Sequence, residues 1–107
     1  MTIELGKTDK QYLLSFPKEM TIFSVLSLRE RLKELLVSFD NEQERAICLD
    51  FCNTSEIDWA GVQLVISLIK TLQNTGFHAI RLFASDGVLA NFEFLSIEDN
   101  LSIEIRR

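Results

Sequence analysis

Ile57-Asp58-Trp59-Ala60-Gly61-Val62-Gln63-Leu64-Val65 decides how the rest of the chain is read. An apolar run, Ala46-Ile47-Cys48-Leu49-Asp50-Phe51, precedes it. The most apolar helix-like segment in the chain follows it and stops at Gly76. Small and polar residues, Cys52 to Glu56, lie between. Strand, loop and helix start follow in that order. Unpaired backbone N–H groups face outward at such a start, which makes it a place for recognition. A Trp at that point needs a physical account.

Outward from this centre, the period of apolar residues assigns the other elements. Ala46 to Phe51 shows no alternation before Asp50, as expected of a central strand buried on both faces. The second helix is predicted over Trp59 to Asn74, with Gly76 supplying the left-handed residue that ends it. Upstream, Ile3 and Leu5 alternate with polar residues, and Gly6 to Lys10 breaks the pattern. Tyr12-Leu13-Leu14-Ser15-Phe16 is a second strand stopped by Pro17, and the pair predicts a β-hairpin. Val25, Leu28, Leu32, Leu35, Leu36 and Phe39 recur at helical spacing, opposite Arg29, Glu30, Arg31, Lys33 and Glu34. Thr21, Ser24 and Ser27 each qualify as N-cap of this first helix, Ser27 with Glu30 three residues on. Asp40-Asn41-Glu42 is expected to end it. Downstream come a strand over His78 to Phe83 and a turn at Ser85-Asp86-Gly87. A short third helix over Val88 to Leu95 follows, with Val88, Leu89, Phe92 and Leu95 inward. Leu101, Ile103 and Ile105 alternate as an edge strand. The expected order is β-β-α-β-α-β-α-β, an α/β fold with a mostly parallel mixed sheet, right-handed crossovers and about three helices.

The 107 residues fit one domain, 1–107, with no room for a second core of normal size. Hydrophobic residues at 47 % and charged residues at 25 % match an ordinary globular protein. No apolar run approaches the ~20 residues of a membrane span. Met1-Thr2-Ile3-Glu4-Leu5 has neither the basic nor the apolar region of a secretion signal, so a cytoplasmic location with reduced cysteines is expected. The formal net charge of −5 and the scattered Lys and Arg argue against nucleic acid as a partner, since phosphates need clustered cations.

Leu49-Asp50-Phe51-Cys52-Asn53-Thr54-Ser55-Glu56-Ile57-Asp58-Trp59-Ala60-Gly61-Val62 resembles the signature of STAS domains, the fold of anti-sigma-factor antagonists. That signature is an apolar strand ending in Leu-Asp-Leu, a short loop, then Ile-Asp-Ser-Ser/Ala-Gly-Leu opening a helix. Lys18-Glu19-Met20-Thr21-Ile22-Phe23 resembles the Gly-Glu-Leu-Asp/Thr stretch before the first helix. Ser85-Asp86-Gly87-Val88-Leu89 resembles the loop opening the third. With the element order, which also matches, the resemblance covers nearly the whole chain. The resemblance implies a small non-enzymatic regulator in bacterial signal transduction. In the family, an anti-sigma-factor kinase phosphorylates the Ser after the Asp and a phosphatase reverses it. Here that position is Trp59, which cannot accept phosphate. The partner-facing surface carries over and the switch at this residue does not. Asp-x-Ala-Gly-Val-Gln-Leu with Glu-Met-Thr-Ile-Phe is most similar to STAS proteins that accompany chemotaxis systems. An anti-sigma-factor or kinase-like protein, or a chemotaxis component, is then the implied partner. The rival implication is an accessory subunit that binds the ATPase of an ABC-type lipid transporter.

Residue by residue, Asp58 is a helix N-cap that accepts from Ala60 or Gly61, with partner contact as an added role. Trp59 lies in line with Ile66 and Lys70 at the edge of the polar arc of Gln63, Ser67, Lys70 and Asn74. It is either a contact anchor or a ring folded over the sheet end. The expected partner-binding set is Asp58, Trp59, Gln63, Ile66 and Lys70, with Thr21, Ile22 and Phe23 from the segment before the first helix. Thr21, Thr54 and Ser55 are alternative phosphate acceptors, each also a cap or turn residue. Cys48 and Cys52 stand four apart without the second pair of a zinc site, and His78 is the sole His. Neither a metal nor a cofactor is expected, and no nucleophile–base set supports an enzyme.

Overall fold

The computed structural model describes residues 2–7, 11–37, 45–92 and 103–106. Its strands are β1 (Glu4–Lys7), β2 (Gln11–Ser15), β3 (Glu19–Met20), β4 (Arg45–Asp50), β5 (Glu56–Ile57), β6 (Phe77–Phe83) and β7 (Ile103–Arg106). The helices are α1 (Val25–Val37), α2 (Trp59–Asn74) and α3 (Asp86–Leu89), the last continued by a 3₁₀ turn, Ala90–Phe92. Five strands form one sheet in the order β1-β2-β4-β6-β7. β1 is antiparallel to β2, and the other neighbours run parallel. The architecture is α/β with a mixed, mostly parallel sheet. Among the described residues no helix is long and apolar enough to cross a membrane.

Register follows from the alternation. Tyr12, Ile47 and Ile80 align across β2, β4 and β6, as do Leu14, Leu49 and Leu82. All six are buried. Crossovers from β2 to β4 and from β4 to β6 step the same way along the sheet. A right-handed connection therefore lays α1 and α2 side by side on one face. They meet the ladder with Leu28, Leu32 and Leu35 from α1 and Val62, Val65, Leu68, Ile69 and Leu72 from α2. Each such side chain contributes ~1.5–3 kcal/mol by leaving water. On the opposite face of β4, Cys48 is buried while Ala46 and Asp50 are half-buried. The expected two-sided burial is thus complete only at the strand's middle.

Boundaries differ from the sequence expectation where side chains act locally. α1 begins at Val25, so Ser24 precedes it and Ser27 lies inside its first turn. The Ser27 hydroxyl donates to Ser24 O (3.1 Å), a helix-interior bond in place of a cap. Ser24 Oγ turns back and accepts from Thr21 N at 3.0 Å. Phe39 and the expected stop at Asp40-Asn41-Glu42 lie outside the described residues. α3 starts at Asp86, two residues earlier than expected, with Ser85 at its N-cap position and Val88 buried. The side chains of Leu89 and Phe92, with Leu95 and Leu101, lie outside what is described. α2 matches its prediction from Trp59 to Asn74, and Gly76 follows it with φ 101°. The two-residue strands β3 and β5 pair with each other, parallel, as a separate small sheet. Two residues give no period to detect, and the sequence reading placed no strand at either.

Candidate functional site

Two segments leave the sheet at the same end and are bonded to each other along their length. The first runs from Phe16 to Ser24, after β2. The second runs from Phe51 to Asp58, after β4. Phe16 N donates to Asp50 O (2.9 Å) and Phe51 N to Phe83 O (2.7 Å), which extends the ladder by a residue on each side. Phe16 and Phe51 stack with centroids 4.4 Å apart. Thr54 then turns its hydroxyl to Pro17 O (2.7 Å). Ser55 N and Glu56 N both donate to Lys18 O, at 2.9 and 3.0 Å. The pairs Glu19↔Glu56 and Met20↔Ile57 follow, and Asp58 N donates to Met20 O at 3.3 Å.

Asp58 closes this zipper. Its Oδ1 accepts from Gly61 N at 3.1 Å, the cap bond of α2. Its Oδ2 accepts from Ile22 N at 2.9 Å, across 36 residues of sequence. One carboxylate thus caps a helix and pins the turn before the other helix. Sequence reasoning found the cap and missed the second bond. The missed bond needs the two loops side by side, which only the fold supplies. The backbone N–H of Ile22 foremost, with those of Gly61 and Ala60, holds the Asp58 carboxyl below its ordinary 3.8. A depressed carboxyl contributes stability that is present above the ordinary value and is lost as pH falls through the lower folded-state value. Amide shifts of Ile22 and Gly61 are expected to titrate together with a midpoint below 3.8. Independent midpoints, or a shared one at the ordinary value, would break the two-loop bond.

Around the clasp, large apolar side chains face water. Phe23 is 93 % exposed, Trp59 72 % and Ile22 62 %. Trp59 therefore does not fold down over the sheet end. Gln63 is exposed and lines a groove between α1 and α2. Ile66, expected on the same stripe, is half-buried and packs against the core, which withdraws part of it from any contact surface. Lys70 is exposed, about 16 Å along the helix from Trp59 at the ordinary rise.

The hydroxyls separate by environment. Thr54 is 3 % exposed with its hydroxyl bonded to Pro17 O, so it is out of a kinase's reach in the folded chain. As a candidate phosphate acceptor it is replaced by a structural role. Thr21 is half-buried; its hydroxyl donates to Glu19 Oε2 (2.6 Å) and accepts from Phe23 N (3.3 Å). Ser55 is exposed. Both cysteines are free thiols. Burial, then the nearby Asp50 carboxylate, pushes Cys48 up to about 11. A hydrogen bond to Asp50 raises Cys52 as well, and a protonated thiol is a poor nucleophile.

The chain matches no family model, and a search of curated proteins finds no match.

Proposed function

We propose that this chain is a non-enzymatic protein-binding regulator of the STAS type, acting in bacterial signalling through the surface around Asp58. One observation carries this: Ile22 and Phe23, before α1, and Trp59, at the start of α2, stand exposed on two segments that Asp58 holds together. Exposed large apolar side chains on a rigid frame cost little to order and gain on desolvation, the profile of an interface anchor. The motif resemblance supports the same place. It puts the regulator's contact position at the start of α2, where Trp59 stands in place of a phosphorylatable Ser. Regulation by phosphate at this residue is closed. Of the alternative acceptors, Ser55 has the exposure a kinase needs. The partner class is a kinase-like anti-sigma factor or a chemotaxis component.

A pull-down from the source cells with wild type and Trp59→Ala side by side tests this. The expected result is loss of one specific partner, about thirtyfold or more in affinity for an anchor of ~2 kcal/mol, with unchanged thermal melting. Equal recovery of the same proteins by both variants would remove Trp59 from recognition. Recovery of a transporter ATPase would replace the signalling role with that of an accessory subunit.

A further inference from the structure

Behind Trp59 a groove of about 500 Å³ runs between α1 and α2. Its floor is Leu32 and Leu68, both buried, with Leu36 and Leu64 half-buried. One wall is polar and uncharged: Gln63, Ser67 and Thr71 recur every fourth residue along α2. The other wall carries Arg29 and Lys33, four apart on α1 and exposed. Leu26, 75 % exposed, stands at the mouth. These two cations are the charged side chains among the lining residues, on a chain whose net charge is −5. Glu30 holds a solvent-exposed pair with Lys33 at 3.7 Å, weak enough to exchange for a partner's carboxylate.

We propose that this groove receives an amphipathic helix of a protein partner whose apolar stripe is flanked by acidic residues one turn apart. Shape and charge select that occupant. A leucine floor between two parallel-running walls matches the i, i+3, i+4, i+7 face of a helix laid into a groove. Arg29 and Lys33 sit about 6 Å apart along the axis, the spacing of two carboxylates at i and i+4 on the incoming helix. On a chain of net charge −5, the two cations favour an acidic helix at this groove and set its direction. A second copy of this chain is a poor occupant, because α1 and α2 already spend their apolar faces on the core. The groove opens beside the Trp59 end of α2, so one helix could fill it and also cover the exposed aromatic. This rests on the protein-binding role proposed above and names the partner's chemistry.

The probe is a capped synthetic peptide of about 15 residues, the length at which a free helix begins to hold. Leu occupies the i, i+3, i+4, i+7 positions, and Glu stands at two flanking positions four apart; a second peptide carries Lys there. Trp59, the only tryptophan, reports binding by fluorescence, and amide shifts of Gln63, Ser67 and Thr71 report its place. The Glu peptide is expected to bind the full chain in the groove. Arg29→Glu with Lys33→Glu should weaken it about tenfold or more. The Lys peptide should bind that double variant and not the wild type. Equal binding of both peptides, shifts elsewhere, or a concentration-dependent dimer that perturbs the same amides without peptide overturns the proposal. The double variant is then taken through the pull-down. Loss of the Trp59-dependent partner supports the groove. Retention of that partner overturns the groove and leaves the regulator role in place.

Discussion

Gly61→Ala is expected to lower the stability of this protein by about 2–4 kcal/mol, although it removes a glycine from a helix. In a free helix interior the same change gains up to about 1 kcal/mol. Sterics reverse the sign. A Cβ on Gly61 would lie 2.1 Å from Met20 O and 3.0 Å from Met20 C, with Ile57 Cγ1 at 2.9 Å. Side-chain atoms can swing away, but Met20 O is backbone. It is held in place because Asp58 N donates to it and Met20 pairs with Ile57 in the small sheet. Relief needs the first turn of α2 to lift off the loop before α1, which separates the two halves of the Asp58 clasp. Gly87→Ala is the internal control. It lies in α3, where an added Cβ meets nothing within 4 Å, and should be neutral to stabilising by at most ~1 kcal/mol. Urea midpoints of the two variants test the contrast. Equal midpoints would mean that the approach of α2 to Met20 is not a fixed feature of the fold.

Gly61 also shows what can be read from the chain and what cannot. The strand–loop–helix centred on Asp58 was legible because its signals are local: an unbroken apolar run, a carboxylate cap, a 16-residue amphipathic period and a Gly with positive φ after it. β2 was legible from strict alternation, which the structure repeats as a buried Tyr12 and Leu14 between half-buried neighbours. Everything that makes the site a unit is non-local. Asp58 to Ile22, Thr54 to Pro17 and Lys18 to Ser55 each join residues more than 35 apart. No window contains both partners. Hence Thr54, read as a cap or turn residue and alternative phosphate acceptor, is a buried structural donor. Ile66 failed for a related reason. A helical wheel at ~100° per residue places it beside Trp59, but burial depends on what α2 rests against, and near Ile66 that is the core. The exposure of Phe23 and Ile22 carries no sequence signal either; apolar residues before a helix usually turn inward.

Phe51→Ala is expected to cost about 3–5 kcal/mol, a large share of the ~5–15 kcal/mol that holds a domain of this size. Phe51 is fully buried, joins the main core and stacks on Phe16 at 4.4 Å and 21°. Lost area and the cavity left behind make up most of that cost; the ring pair adds ~0.5–1.5 kcal/mol. Its position gives the loss a direction. Phe16 and Phe51 are the first residues of the two segments that leave β2 and β4, so their stack is the root from which both arms of the site extend. Removing it should loosen the arms more than the ladder. Under native conditions the amides of Ser55 and Glu56, bonded to Lys18 O, should exchange before those of Ile47 and Leu49 in β4. The urea midpoint should fall with an unchanged slope. Uniform acceleration across both sets would show that the stack supports only global stability, and the rigidity of the Trp59 surface would then need another source. Selective acceleration, with weaker partner binding at temperatures where the chain stays folded, would show that the paired aromatics preorganise the loops that present Trp59 and Phe23.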